Sequence, residues 1–271
     1  MTQPTTSTRP EQPAPDYVPA HGLLRDKVVV VTAAAGAGIG AAVVRRVLEE
    51  GARGVVLGDT HERRLGEAER ELGAAYGTDR VRALRCDVTD EQQVQALVDA
   101  ADDFGGVDVM VNNAGLGGTA PITEMTDEQW SKVVDITLTG TFRCIRAASR
   151  KMVELGTRGV IVNNASVIGW RAQEGQAHYA AAKAGVMALT RCSALDLAGH
   201  GIRVNAVSPS LAMHPFLAKV TTDELLAELK QQEAFGRAAE PWEVANVMVF
   251  LASDYSSYLT GEVISVSSQH A

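Results

Sequence analysis

Cysteine is scarce in this chain. Its three copies in 271 residues, Cys86, Cys144 and Cys192, are too few and too scattered for a disulfide framework or a metal-binding cluster. No metal site is expected, and a reducing cytoplasm is the expected setting. Each cysteine falls in a segment that reads as core, where a thiol behaves as a small hydrophobe rather than a nucleophile. No apolar run is long enough to span a bilayer, which argues against a membrane protein. Lys and Arg form no cluster and the formal charge is −8, which argues against nucleic acid or an anionic membrane surface as the main partner. Internal repeats and interdomain linkers are also missing. What is present is 46% hydrophobic content, enough for one large α/β domain with a substantial core.

The first twenty residues hold five of the nine prolines and show no periodicity, so residues 1–22 are expected to form a disordered leader. Without an apolar core segment, that leader does not read as a targeting peptide. Residues 23–271 are expected to form the single domain. Strand-like runs recur at 27–32, 54–58, 81–85, 107–111, 159–163, 202–207 and 262–266, with helical patterns in most of the gaps. That alternation implies a doubly wound parallel sheet with helices on both faces. Runs such as VVVV, VMV and VIV lack a period of two, as expected of strands covered on both sides.

The first strand runs into AAAGAGIG and then a helical pattern, the order a dinucleotide site requires, with small residues that let backbone approach a pyrophosphate. Asp59 ends the second strand, where a carboxylate can accept hydrogen bonds from an adenosine ribose; capping of the following helix is the plainer alternative. Farther on, Tyr179 and Lys183 stand four residues apart in HYAAAKAG, so a helix puts them on one face. An ammonium beside a phenol favours the phenolate, moving a poor base toward working range. Ser166 lies thirteen residues before Tyr179 at the end of an apolar strand. Alone, Y-x-x-x-K occurs by chance in surface helices and serine often merely ends a strand. The glycine-rich turn upstream gives the trio a cofactor to work on.

With AAAGAGIG, CDVTD, VNNAG at 111–115, Ser166, Tyr179 with Lys183, VNAVSPS at 204–210 and FLASDYSSYLTGEVISV in order, the chain resembles the short-chain dehydrogenase/reductase family from about residue 24 onward. The resemblance implies a seven-stranded sheet of order 3-2-1-4-5-6-7 and hydride transfer between a secondary alcohol or ketone and a nicotinamide cofactor. It implies catalysis by Ser166, which orients the substrate oxygen, Tyr179, which exchanges the proton, and Lys183, which lowers the tyrosine pKa. Cofactor contacts are implied for Thr32, Gly36, Gly38, Ile39, Gly40, Asp59, Asp87, Val88, Asn113, Ala114, Gly115 and Pro209. Asp59 would repel a 2′-phosphate, so NAD is expected over NADP, with Arg63 and Arg64 on a solvated helix face. For Asp87, capping of the next helix is the alternative to an adenine contact. With NAD, alcohol oxidation is the expected direction. A homodimer or homotetramer is also implied.

Four departures from the family pattern stand out: Ala33 where a glycine is expected, Thr137 at the active-site asparagine, Ser210 with His214 after Pro209, and SSQHA at the end. Trp170, Arg171 and His214 are candidate substrate contacts, and residues 211–236 read as a lid. An apolar pocket with one arginine suits a bulky alicyclic or acyl group carried on an anionic handle such as coenzyme A. Within the family, HERRLGE, NNASVIGWRAQ and EAFGRAAEPWEVA resemble the actinobacterial dehydrogenases of steroid C/D-ring degradation. Those act on a hydroxy-methylindane carboxyl-CoA thioester; 3-oxoacyl reductases are the near alternative, and a nicotinamide-binding regulator is the alternative of another class.

Overall fold

The computed structural model describes residues 10–213 and 223–269. Seven parallel strands form one sheet in the order β3-β2-β1-β4-β5-β6-β7. They are β1 (Val28–Thr32), β2 (Gly54–Asp59), β3 (Val81–Arg85), β4 (Val109–Asn112), β5 (Val160–Asn164), β6 (Arg203–Pro209) and β7 (Val263–Val266). Each boundary lies within three residues of the runs seen in the sequence.

Successive strand residues point to opposite faces, and both faces are covered. Val29, Val31, Val55, Leu57, Val109 and Val111 pack on one side with α1 (Ile39–Glu49) and the last helix, α8 (Pro241–Ala252). Val28, Val30, Val56, Met110 and Ile161 pack on the other with α3 (Glu91–Asp99) and α5 (Gly140–Leu155). Buried residues of β1 and β2 thus have apolar neighbours on both sides, which is why their sequences run without alternation.

The remaining helices among the described residues are α2 (Glu62–Tyr76), α4 (Asp127–Val134), α6 (Ala177–Ala198) and α7 (Asp223–Gln232). α4 passes into α5 through a π-helical turn, Asp135–Thr139, a local widening that often marks functional sites. A ladder of buried amides and a hydroxyl, Asn112 Nδ2 to Asn163 Oδ1 at 2.8 Å and Asn163 Nδ2 to Thr190 Oγ1 at 2.9 Å, ties β4 and β5 to α6. No helix among the described residues is long and apolar enough to cross a membrane.

Residues 10–22 are the described part of the expected leader. They have no helix or strand, yet they run along the body with defined partners. Tyr17 stacks edge-on against Trp242, with ring centroids 5.4 Å apart, and its hydroxyl donates to Glu49 at 2.5 Å. The buried Arg46 guanidinium donates to the carbonyls of Val18 and Pro19. A proline-rich composition hides this because the anchors are single residues. The thiols also divide: burial pushes Cys86 up to about 12 and raises Cys144, which suits inert core residues, whereas Cys192 lies on an exposed face of α6 and not in the core.

Candidate active site

Every strand is parallel, so the carboxyl ends collect on one edge, where ligands of such sheets bind. The glycine-rich turn leaves β1 there. Ala33 adopts a left-handed backbone, φ 49°, and Gly36 has φ 108°; the first is a conformation that glycine adopts without strain, in keeping with the glycine expected at that place. Gly40 admits no side chain, since a Cβ would lie 2.2 Å from the Ala33 carbonyl oxygen and 2.6 Å from Asn113 Nδ2. The N-terminus of α1 has no side-chain cap at Gly38 and no acidic residue in its first turn. Its unpaired amides and the positive end of the helix dipole suit a pyrophosphate, with Ile39 and Gly40 opening the helix.

Several expected cofactor residues also build the cleft. Thr32 is buried, and its hydroxyl accepts from the amides of Asn113 and Ala114, both at 3.0 Å. Asn113 donates to the Ala33 carbonyl at 3.1 Å and accepts from Asn164 Nδ2 at 2.9 Å. β1, β4 and β5 are thereby locked at the site. Asp59 accepts from Ala35 N at 3.1 Å and from His61 N at 3.0 Å, bridging the glycine-rich turn to the start of α2. Asp87 accepts from the amide and hydroxyl of Thr89. The cap of α3 is Asp90 instead, which accepts from Gln92 N and Gln93 N. Val88 is buried against Gly140, and Pro209 ends β6 opposite Val266.

Ser166 follows β5 and opens a short 3-10 turn, Val167–Gly169, its hydroxyl accepting from Ile168 N at 3.3 Å. Tyr179 and Lys183 lie on the first turns of α6, and Lys183 Nζ sits 5.6 Å from the Tyr179 ring centroid. The ammonium donates to the Asn164 carbonyl at 2.5 Å. Gly115 backs it, with a Cβ position only 3.4 Å from Nζ. Burial pushes the Tyr179 phenol up, partly offset by its hydrogen bond with Ser166. Burial also pulls Lys183 down to about 8. Desolvation is the larger influence on the phenol, and a phenol held above its ordinary range stays protonated at neutral pH.

Thr137 lies in the π-helical turn and is fully buried. Its hydroxyl accepts from Leu116 N at 3.0 Å and donates to Leu116 O at 3.2 Å, while its carbonyl accepts from Thr141 Oγ1 at 2.8 Å. The threonine thus clips the loop after β4 rather than reaching Lys183.

Trp170, half exposed, and Arg171 follow Ser166, and Arg171 hydrogen-bonds the Gln269 side chain. His214 lies outside the described residues, as does the middle of the expected lid. The ends of that lid are stapled: Ala212 pairs with Ala239 as a parallel bridge, and Ala239 N donates to Leu211 O at 2.8 Å. A largely apolar cavity of about 430 Å³ lies between the loops at 120–123 and 172–175, bordered by Ala177 and Ala180 of α6. Ser166, Tyr179 and Lys183 do not line it, although Ala180 on its border is the sequence neighbour of Tyr179. Sequence reasoning missed Asn164 and Gln269, whose roles come from partners 51 and 98 residues away.

Residues 33–268 match a family model described as enoyl-(acyl carrier protein) reductase. The chain is 62% identical over 258 residues, 95% of its length and 98% of the relative's, to the (5R,7aS)-5-hydroxy-7a-methyl-1-oxo-2,3,5,6,7,7a-hexahydro-1H-indene-carboxyl-CoA reductase of Mycobacterium tuberculosis. It is 43% identical over 245 residues, 89% of its length and 95% of the relative's, to cis-4-hydroxycyclohexanecarboxylate dehydrogenase of Sinomonas cyclohexanicum. The crystal structure of a short chain dehydrogenase from Mycobacterium smegmatis superposes with a TM-score of 0.84 at 55% identity, covering 96% of this chain and 99% of that one.

Proposed function

The chain belongs to the short-chain dehydrogenase/reductase family, and on that premise we propose that it interconverts an alicyclic secondary alcohol and its ketone, carried as a CoA thioester, with NAD as the redox partner. The observation that carries this reading is the meeting of Ser166, Tyr179 and Lys183 beside the uncapped, glycine-lined N-terminus of α1. Bound there, the nicotinamide would supply the hydride chemistry. Gly36, Gly38, Ile39 and Gly40 would hold the pyrophosphate, Asp59 the adenosine ribose, Asp87 and Val88 the adenine, and Asn113, Ala114, Gly115 and Pro209 the remainder.

Ser166 would fix the substrate oxygen and Tyr179 would exchange its proton, with Lys183 stabilising the phenolate when it forms. A phenol that keeps its proton suits delivery to a ketone oxygen. Alcohol oxidation needs the phenolate, so it is expected to accelerate as pH rises. The apolar cavity suits an alicyclic skeleton; Trp170 and Arg171 precede its lining residue Ala172, where the indole would flank the substrate and the guanidinium would anchor the anionic handle. The activities of the two relatives support an alicyclic hydroxyl substrate, and the first supports the CoA thioester; a place in steroid breakdown is part of this proposal. Exposed Trp130, Phe142, Val153 and Leu155 on α4 and α5 support self-association as a dimer or tetramer, and reduced buried thiols suit a cytoplasmic enzyme.

One observation favours a second reading for the cofactor. A Cβ on Gly36 would lie 3.5 Å from Arg64 Nη1, so that guanidinium reaches the glycine-rich turn instead of standing clear on the helix face. There it suits a 2′-phosphate, and hence NADP. The deciding assay follows absorbance of the reduced nicotinamide, using NAD or NADP with cis-4-hydroxycyclohexanecarboxylate and its CoA thioester, and NADH or NADPH with 3-oxoacyl thioesters. NAD-linked turnover of the thioester is expected. Turnover only of 3-oxoacyl thioesters with NADPH would overturn both the substrate and cofactor assignments.

A further inference from the structure

The catalytic trio makes no use of Glu233, a carboxylate only 1% exposed just after α7. A buried carboxylate must be hydrogen-bonded to stay charged, and each oxygen of this one is taken. Oε1 accepts from Leu211 N at 3.2 Å and Gln269 Nε2 at 2.9 Å; Oε2 accepts from Ser268 Oγ at 2.7 Å. Three segments meet on one residue: the chain after β6, the turn after α7 and the tail after β7. A backbone bond from Ala234 N to Ser268 O at 2.9 Å seals the last two.

Gln269 extends the cluster to the loop that carries Ser166. An amide offers a donor at one end and an acceptor at the other. Gln269 turns its NH₂ to Glu233 and its Oε1 to the donor-only guanidinium of Arg171. The amide thus links a buried carboxyl group to a guanidinium, and bonds in such a chain polarise one another favourably. The sequence flagged this tail only as a departure from the family pattern.

We propose that Glu233 and Gln269 are positioning residues for substrate recognition: they pin the C-terminal tail and hold the Arg171 guanidinium where it receives the anionic handle of a CoA thioester. This rests on the reading of Arg171 as the substrate anchor.

The test compares Gln269→Ala, Glu233→Gln and Arg171→Ala with the unaltered enzyme on two probes, cis-4-hydroxycyclohexanecarboxyl-CoA and uncharged cyclohexanol. Gln269→Ala is expected to lower the ratio of kcat/KM for the thioester to that for cyclohexanol about tenfold, through KM. Combined with Arg171→Ala it should cost no more than Arg171→Ala alone, because both remove one interaction. Glu233→Gln should retain at least about half the ratio, since its carbonyl can still accept from Leu211 and Gln269 while its NH₂ donates to Ser268. If Arg171→Ala lowers the ratio and Gln269→Ala does not, the positioning role is overturned and the anchor stands. If Arg171→Ala has no effect, both are overturned. A readout independent of turnover is amide hydrogen exchange over residues 168–175, expected to quicken about tenfold in Gln269→Ala; unchanged exchange would overturn the tail's hold on that loop.

Discussion

Replacing Lys183 by methionine is expected to stabilise the protein while removing its activity. The side chain is 3% exposed, and burial pulls its pKa from 10.5 to about 8. A depression of that size means the folded state disfavours the charged form by about 3 kcal/mol relative to the unfolded chain. Methionine occupies comparable volume without charge. What is lost is the hydrogen bond to the Asn164 carbonyl, worth about 1 to 1.5 kcal/mol. The balance is a gain of about 2 kcal/mol, or about 4 to 8 °C in Tm for a chain of this size. The sign of the pH dependence follows from the same shift. Below about pH 8 the folded protein carries the charged lysine and the penalty is complete. Between about 8 and 10.5 the unfolded chain still binds the proton that the folded one has released, so the unaltered protein gains stability with rising pH. The variant's advantage should shrink over that window. Thermal melts of both proteins at neutral pH and near pH 10 measure this. A variant less stable at neutral pH, or an advantage that widens with pH, would refute the reasoning.

Ala33→Gly should relieve the left-handed strain at φ 49° and raise stability by about 0.5 to 1 kcal/mol after the entropy cost of glycine, read as a small rise in Tm. Gly40→Ala drives a Cβ into the Ala33 carbonyl; it should cost about 2 kcal/mol or more and weaken nucleotide binding, measured by denaturant melts and nucleotide titration. Asp59→Ala should shift the NADP-to-NAD ratio of kcat/KM upward about tenfold or more. It should also cost about 1 to 2 kcal/mol of stability through the stranded amides of Ala35 and His61. An unchanged ratio would remove Asp59 from cofactor selection.

The strands were legible because burial on both faces writes itself into VVVV and VIV, and the turn after β1 because glycine is needed where a Cβ would meet backbone. The spacing of Tyr179 and Lys183 was legible from helical geometry alone. The desolvation of the phenol was not, since spacing reports the neighbouring cation and says nothing of burial. Asp90 rather than Asp87 caps α3 because helix entry depends on a turn, Asp90 N to Asp87 O, that spacing leaves open. Glu233 and Gln269 were invisible for another reason. Their partners are 22 to 98 residues away in sequence, and only the folded chain brings β6, α7 and the tail together. Tyr17 was missed because proline-rich composition outweighed one anchoring aromatic.

The central claim is that Tyr179 carries the proton of a hydride transfer between alcohol and ketone. Tyr179→Phe removes one oxygen and leaves the ring and the glycine-lined cleft in place. Turnover of the alicyclic CoA thioester should fall by about 10² or more, while the dissociation constant for the nucleotide, followed by fluorescence titration, changes by less than about threefold. A variant that turns over at the unaltered rate would contradict the account.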